Sequence, residues 1–477
     1  MKKKLIYILI ASGILASSCD SLSDFGDMNE NPNATTNPIP SALLANVLSG
    51  IGGYASTAQT RPALYAQYLS ETQYTDASLY STPQIGFVGY YSGHLNDLVD
   101  YKARLEGNNN AIAVANILQQ YIFGYCTDLW GDLPYSESLQ QIVPKYDTQE
   151  EIYKGILSTL AEAEGQLAVG AGDIPGDFIF DGDVSKWKKF ANSVRLLTSL
   201  QLSKRYPGAS EYAATEFKAA LADSDGYMKV NADNFVITYP GENFKNPWRD
   251  IYDGRKDFAE SKTMTDLMSS LNDPRQNAFG GKSELLGTAD FALTSNVGFP
   301  YGLSRANAEK FAGDNTGFAR VLRGDFRSDE SPLVLMSAGQ IALARAEAAK
   351  RGWTSEVVNS VYQEGIKLSY EQWKQAAPTA GYLASTSVAL NGGAADLNKI
   401  ILQRYIAHYP DGRMGWNIWR KSAVPNLLPA PDGQEDEIPR RFMYTSAEYS
   451  TNQAGVNAAV ERLEGGDEMH SRIWWDK

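Results

Sequence analysis

Cysteine is almost absent from this chain of 477 residues, which carries only Cys19 and Cys126. Histidine is nearly as scarce, with His94, His408 and His470 alone. None of the three stands in an H-E-x-x-H pair or beside a G-x-S-x-G turn, so the zinc-protease and α/β-hydrolase signatures are missing. Positive charge is in deficit: 43 Lys and Arg face 56 Asp and Glu, for a formal net charge of −13. That balance argues against nucleic acid or an anionic lipid surface as the main partner and suits a neutral ligand. The pronounced apolar run, Leu5 to Leu15, falls well short of the ~20 residues a helix needs to cross a bilayer. No long Ser/Pro-rich linker or charge block divides the interior, so the chain reads as one large unit with room for a substantial core.

What the N-terminus does contain is ordered. Lys2, Lys3 and Lys4 precede the apolar run, and Ala16, Ser17 and Ser18 lead to Cys19. A basic start, a short apolar segment and a small-residue exit describe a secretory signal peptide over residues 1–18. The cysteine that follows resembles the end of a bacterial lipobox, with Ala16 where leucine is preferred. In that reading Cys19 is acylated and becomes the first residue of the mature chain; an ordinary secreted protein with a cysteine near its cleavage site is the alternative. One acyl chain gives only marginal membrane binding, at ~0.8 kcal/mol per buried methylene, so stable anchoring takes more than one. Acylation of Cys19 leaves Cys126 without a partner and the fold without an intrachain disulfide. Residues 19–30, with Asp20, Asp24, Asp27 and Glu30, read as a lipidated N-terminus and flexible tether. Their acidity also resembles the surface-export signal of some Gram-negative lipoproteins. Loss of the three signal-peptide lysines takes the net charge to about −16.

Helical patterns dominate the remainder. Thr148 and Glu151 form a capping box ahead of Ile152, Ile156, Leu160, Ala163 and Leu167 at helical spacing. A second helix begins near Ser185, with Trp187, Phe190, Val194 and Leu197 on one face and Lys186, Lys188, Lys189 and Arg195 away from it. Ser337 and Gln340 make another capping box, opening a helix that runs through Ala349 and is closed by Gly352. The pattern resumes after Thr354 with Val358, Val361, Tyr362, Gly365 and Ile366, so residues 337–370 form a helical hairpin of tetratricopeptide size. Residues 112–127 and 397–409 are further helices, the latter with Asp396 as N-cap, and Phe235 to Tyr239 is a short strand. The fold class is therefore mostly α, an α-solenoid of helical pairs. Segments 72–100, 170–184, 225–258, 272–335 and 421–455 are rich in Gly, Pro, Asn and Asp and read as long loops on that frame.

Several short motifs recur in a telling order. They are Thr127-Asp128-Leu129-Trp130-Gly131-Asp132-Leu133-Pro134-Tyr135, Asp181-Gly182-Asp183 leading to Trp187-Lys188-Lys189-Phe190, Asp273-Pro274-Arg275, Ala346-Glu347-Ala348, Ile438-Pro439-Arg440-Arg441-Phe442, and a closing Trp474-Trp475-Asp476. With the lipobox and the early Asn31-Pro32-Asn33, the set resembles the SusD/RagB-like nutrient-binding outer-membrane lipoproteins from about residue 25 to the end. The resemblance implies a single domain over residues 31–477, a core of tetratricopeptide-like helical pairs and an irregular loop-rich face. It implies a place on the cell surface over a SusC-like TonB-dependent transporter, and capture of oligosaccharides or, in some members, peptides. It implies no covalent chemistry and no cofactor. Trp187, Phe190, Trp474 and Trp475 recur in the family pattern and are read as core packing.

Ligand residues do not follow from the motifs, because the binding loops vary with cargo. The useful side chains for sugars are aromatic faces flanked by amides and carboxylates. Tyr74, Asp76 and Tyr80 in one loop, Trp248 in a second, and Phe299 and Tyr301 in a third are the candidates, each with sealing of the core or of a protein interface as the alternative role. Asp128 and Asp132 flank Trp130 as a glycosidase pair would, but Trp-Gly-Asp-Leu-Pro-Tyr reads better as a helix exit with a Pro turn. Gly50 to Ala55 matches a loose dinucleotide fingerprint without the preceding strand that such a site needs. Asp181-Gly182-Asp183 and Asp223-Ser224-Asp225-Gly226 lack the full EF-hand ligand pattern and read as turns.

Overall fold

A computed structural model describes residues 38–56, 60–81 and 85–477. The signal peptide, Cys19, the tether and Asn31-Pro32-Asn33 lie outside the described residues. The longer helices in chain order are α1 (Pro40–Ile51), α2 (Asn96–Arg104), α3 (Asn109–Trp130), α4 (Gln149–Gln166), α5 (Val184–Gln201), α6 (Tyr212–Leu221), α7 (Lys262–Leu271), α8 (Arg305–Asp314), α9 (Ala338–Lys350), α10 (Val358–Gln372), α11 (Asp396–Ala407), α12 (Gly412–Ser422) and α13 (Gln453–Glu461). Helix α3 packs on α4, α4 on α5, α5 on α6, α9 on α10 and α11, and α11 on α12. The scaffold is therefore a series of packed helical pairs, as the 3.6-residue periodicity requires when each helix has one apolar face to bury.

The capping signals act as expected. Thr148 Oγ1 accepts from the Glu151 N–H while the Glu151 carboxylate accepts from the Thr148 N–H, and Ser337 and Gln340 reciprocate in the same way at the start of α9. Ile152, Ile156, Leu160 and Ala163 are all buried along α4. Gly352 follows α9 at φ +76°, the left-handed turn that lets α10 fold back. Two local readings are corrected. Asp396 lies inside the first turn of α11, and its carboxylate accepts from the N–H groups of Asn391 and Gly392, closing the preceding loop instead of capping the helix. Arg195 is buried rather than solvated, because α6 covers that side of α5; its guanidinium donates to Asn192 Oδ1 at 2.9 Å and faces Glu216 at 3.9 Å.

Three two-stranded antiparallel ribbons staple the irregular chain: β1 (Leu69–Glu71) with β3 (Phe258–Glu260), β2 (Phe235–Ile237) with β6 (Leu333–Met336), and β4 (Gly280–Gly281) with β5 (Arg320–Val321). The strand expected at 235–239 is thus present as β2. The long segments read as loops are not bare. Besides β2 they contain α8, β4 and β5, each too short or too weakly apolar to leave a periodic signature. The Gly50 to Ala55 stretch is the end of α1 running into a single 3₁₀ turn, with no strand before it, which removes the dinucleotide reading. Trp187, Phe190 and Trp475 are fully buried, Trp474 is half-buried, and Cys126 is a buried free thiol.

Candidate functional site

Four of the loops meet on one face. Thr72 and Gln73 are tied to Asp257 through the Thr72 N–H to the Asp257 carbonyl at 2.9 Å and through the Gln73 amide to the Asp257 carboxylate. The loop then turns inward at Tyr80, whose φ is +63° and whose hydroxyl accepts from the Ala430 N–H at 3.0 Å. Tyr301 is buried against Tyr80. Gly302, at φ +69°, passes so close to Ala430 that a Cβ there would lie 2.5 Å from the Ala430 Cα. Asp432 locks the junction by accepting from the Ser304 N–H at 2.7 Å and the Asn307 amide at 2.6 Å.

On the outer side of this junction Tyr74 is 52% exposed, with the Arg305 guanidinium 5.2 Å from its ring centroid, and Asp76 is exposed beside it. An aromatic ring, a planar cation and a carboxylate held on interlocked loops are groups of the kind that can pack against a sugar ring and bond hydroxyls. Arg305 was not among the residues singled out from the sequence. It belongs to α8, a helix whose single buried position, Ala308, leaves no apolar stripe to announce it.

The remaining candidates point the other way. Trp248 and Phe299 are fully enclosed, and Tyr80 and Tyr301 are buried. Phe299 packs in a small satellite cluster against Phe311 and Phe318, with ring centroids 4.8 and 5.1 Å away. Tyr80 and Tyr301 are the inner seam of the loop junction, not its binding face. Of the six, Tyr74 and Asp76 are open to a ligand at this face.

Asp128 and Asp132 are occupied structurally. The Asp128 carboxylate accepts from Arg413 at 2.7 Å, Asn417 at 2.6 Å and the Tyr153 hydroxyl, and is nearly sealed from solvent. Burial pushes Asp132 above the usual carboxylate range against the pull of Arg462, and it accepts from the Gln149 N–H at 2.7 Å. Asp183 is the N-cap of α5, and Asp181 turns at φ +53°. Asp223 and Asp225 do approach Glu164, but Lys188 Nζ stands among them, 2.8 Å from Asp225 and 3.4 Å from Glu164. The ammonium supplies the countercharge there.

The helical pairs, the capped motif regions and the loop-rich face together match a known family. A SusD-like family model, described as starch-binding associating with outer membrane, matches residues 32–445. The chain belongs to the SusD-like family. Solved relatives share the fold at low identity. A chitin-binding SusD homologue from Flavobacterium johnsoniae superposes with a TM-score of 0.79 at 24% identity, covering 92% of this chain and 98% of that one. A SusD homologue from Bacteroides uniformis gives 0.77 at 24% identity, covering 92% and 99%. One from Bacteroides fragilis gives 0.77 at 24% identity, covering 92% and 100%. No curated relative matches the chain. SusD-like proteins are associated with the outer membrane, and no helix among the described residues is long and apolar enough to cross a membrane.

Proposed function

We propose that this SusD-like chain is a non-catalytic surface receptor, tethered to the outer membrane through acylated Cys19, that captures oligosaccharide and delivers it to a SusC-like TonB-dependent transporter. The observation that carries the reading is the pairing of Tyr74 and Arg305 beside Asp76 on the interlocked loops. An exposed tyrosine with a guanidinium beside its ring offers an aromatic face and a charged donor to a sugar. The family description and the chitin-binding relative favour a glycan over a peptide as cargo. The engagement of Asp128 and Asp132 in structural ion pairs supports capture without hydrolysis.

The test is isothermal titration of the purified protein with oligosaccharides, with product analysis on the same samples. Binding without cleavage, weakened about tenfold by Tyr74→Ala with an unchanged melting temperature, supports the reading. Release of shorter sugars, or binding indifferent to Tyr74, refutes it. Fatty-acid labelling that persists in Cys19→Ala refutes the anchor, and copurification of a β-barrel transporter with the native protein supports the partner.

A further inference from the structure

Several of the loops behind the Tyr74 face join at one residue. Glu260 ends β3 and lies opposite Leu69 of β1, the strand that leads into the Tyr74 loop. Its backbone N–H donates to the Ala319 carbonyl at 2.8 Å, and its carbonyl accepts from the Phe299 N–H at 2.9 Å, two residues before Tyr301. Ser70 of β1 closes the same knot by donating its hydroxyl to the Phe299 carbonyl at 2.9 Å. The main chain of Glu260 thus ties the segment that presents Tyr74 to the one that seats Tyr301 and to the one that runs from α8 to β5.

The Glu260 side chain is wholly enclosed, and no Lys, Arg or His among the described residues pairs with it. Its partner is Gln276, on the short helix Gln276–Phe279, whose Nε2 donates to Glu260 Oε2 at 2.8 Å. Glu260 Oε1 and Gln276 Oε1 are both left buried without a partner. Gly280 of β4 walls the pair in, since a Cβ there would lie 2.5 Å from Glu260 Oε2, 2.7 Å from Gln276 Nε2 and 2.3 Å from the Ser295 carbonyl oxygen. Buried polar atoms are almost always paired, and a carboxylate sealed from water without a cation is costlier still. One hydrogen placed between the two bare oxygens removes both faults.

We propose that Glu260 is a positioning residue that carries its proton at neutral pH and donates it to Gln276 Oε1, closing a neutral acid–amide ring that clasps the loops behind the Tyr74 face. The role in presenting a ligand rests on the glycan-capture reading; the protonated pair stands without it. A carboxylic acid and a primary amide each offer a donor beside an acceptor, so the ring satisfies both oxygens of Glu260 together with the oxygen and one N–H of Gln276. The surroundings favour the neutral acid: burial pushes this carboxyl well above the usual carboxylate range, and the Gln276 N–H pulls it down by less. The titratable group that faces it is Tyr409, on the segment joining α11 to α12, and burial keeps that phenol neutral as well. Once the proton leaves, Gln276 Oε1 faces a bare negative charge in a closed interior, and the clasp has to open to water. In the open form the carboxyl ionises near its ordinary value of 4.5. From there up to the pH at which the closed form itself ionises, each pH unit favours opening about tenfold.

The experiment has two readouts on the full-length protein in detergent. In the infrared difference spectrum at neutral pH, the unaltered protein should show a protonated carboxyl band that Glu260→Gln removes. Hydrogen exchange at the amides of residues 69–80 and 299–304, taken from about pH 6 to about pH 8 as a ratio to Glu260→Gln at the same pH, should rise about tenfold per pH unit. The ratio cancels both the intrinsic pH dependence of exchange and the titration of Glu71, which the two proteins share. Carbon-13 NMR of labelled glutamate in the unaltered protein needs no substitution, and one carboxyl should keep its acid form at neutral pH, far above the ordinary glutamate midpoint. A carboxylate in place of the acid, a cation found in equal amount with the protein, or an exchange ratio that does not vary with pH overturns the proposal. Failure of oligosaccharides to bind in the titration overturns the capture reading, while the infrared and exchange results still decide the pair.

Discussion

Glu71 accepts two hydrogen bonds from Ser78, one from its backbone N–H at 2.8 Å and one from its hydroxyl at 2.9 Å. This bond pair closes the loop that presents Tyr74 and Asp76, so the geometry of the outer face depends on a buried carboxyl. Burial pushes that carboxyl up from about 4.5 to about 7, against the lowering effect of Ser78 and Arg61. The folded chain therefore binds more protons than the unfolded one between those values. Stability from this group is fully present below pH 4.5 and is lost as the pH rises through 7. Glu71→Gln keeps the acceptor and removes the charge. Its melting temperature relative to the unaltered protein should climb between pH 4.5 and 7 and level off above, by the equivalent of about 3 kcal/mol. A difference that does not vary with pH refutes this account.

Glu347 on α9 has the opposite sign. Its carboxylate is fully buried and receives Arg351 at 2.9 Å, Lys421 at 3.2 Å and the Arg404 guanidinium. Burial alone would raise its pKa, but the three cations outweigh that and hold it well below the usual carboxylate range. Glu347→Gln leaves Lys421 and Arg404 buried against a neutral amide, and the loss of one partner of a buried ion pair costs about 3–5 kcal/mol. Chemical denaturation at pH 7 should show a drop of that order with an unchanged m-value. The gap should narrow as the pH falls below 4.5, where the native carboxylate of the unaltered protein starts to bind fewer protons than the unfolded chain.

Asp128 ties α3 to α12 through Arg413 and Asn417 and to α4 through Tyr153. Asp128→Asn should destabilise the protein by about 3 kcal/mol. Below its lowered melting temperature the variant should bind oligosaccharide as before. A wild-type hydrolytic activity that vanishes in this variant would return the carboxylate pair to the catalytic role that its sequence spacing suggests.

The parts of the fold that were legible share a physical cause. Helix α4 has a solvated face, an apolar face and a reciprocal cap, so sequence alone gives its start and its orientation. Helix α12 was missed although its apolar residues keep helical spacing; its polar side, with Asn417, Arg420 and Lys421, is buried along with Trp416, Ile418 and Trp419, a burial that only long-range packing decides. Arg420 is legible only once folded, when its guanidinium lies 3.7 Å from the Trp416 ring centroid and donates to the Asp128 carbonyl. The candidate site was half legible for a similar reason. Tyr74 and Tyr80 stand in the same loop with the same polar neighbours, yet one faces solvent and the other bonds to Ala430. Which way each ring turns is decided by long-range packing against residues 301 and 430, and no local pattern encodes it.

The hairpin of α9 and α10 gives the most stringent test of that packing. Gly365 entered the sequence pattern as one more apolar position, but its role is the absence of a side chain. A Cβ there would lie 2.6 Å from the Leu343 side chain and 2.9 Å from the Leu343 backbone nitrogen. The second contact is with main chain inside α9, which no rotamer change relieves. Gly339 faces the same interface, where a Cβ would meet the Ser369 N at 3.0 Å. At an ordinary helix position Gly→Ala adds about 0.5–1 kcal/mol of stability through the unfolded state. Here the overlap should reverse the sign, with Gly365→Ala destabilising by about 1–3 kcal/mol as the helices are forced apart. Gly165, near the end of α4 with open space around it, is the internal control, and Gly165→Ala should stabilise. Opposite shifts in melting temperature for the two substitutions would establish that the helices meet through their glycines; a gain in both would show that the pair is looser than this geometry requires.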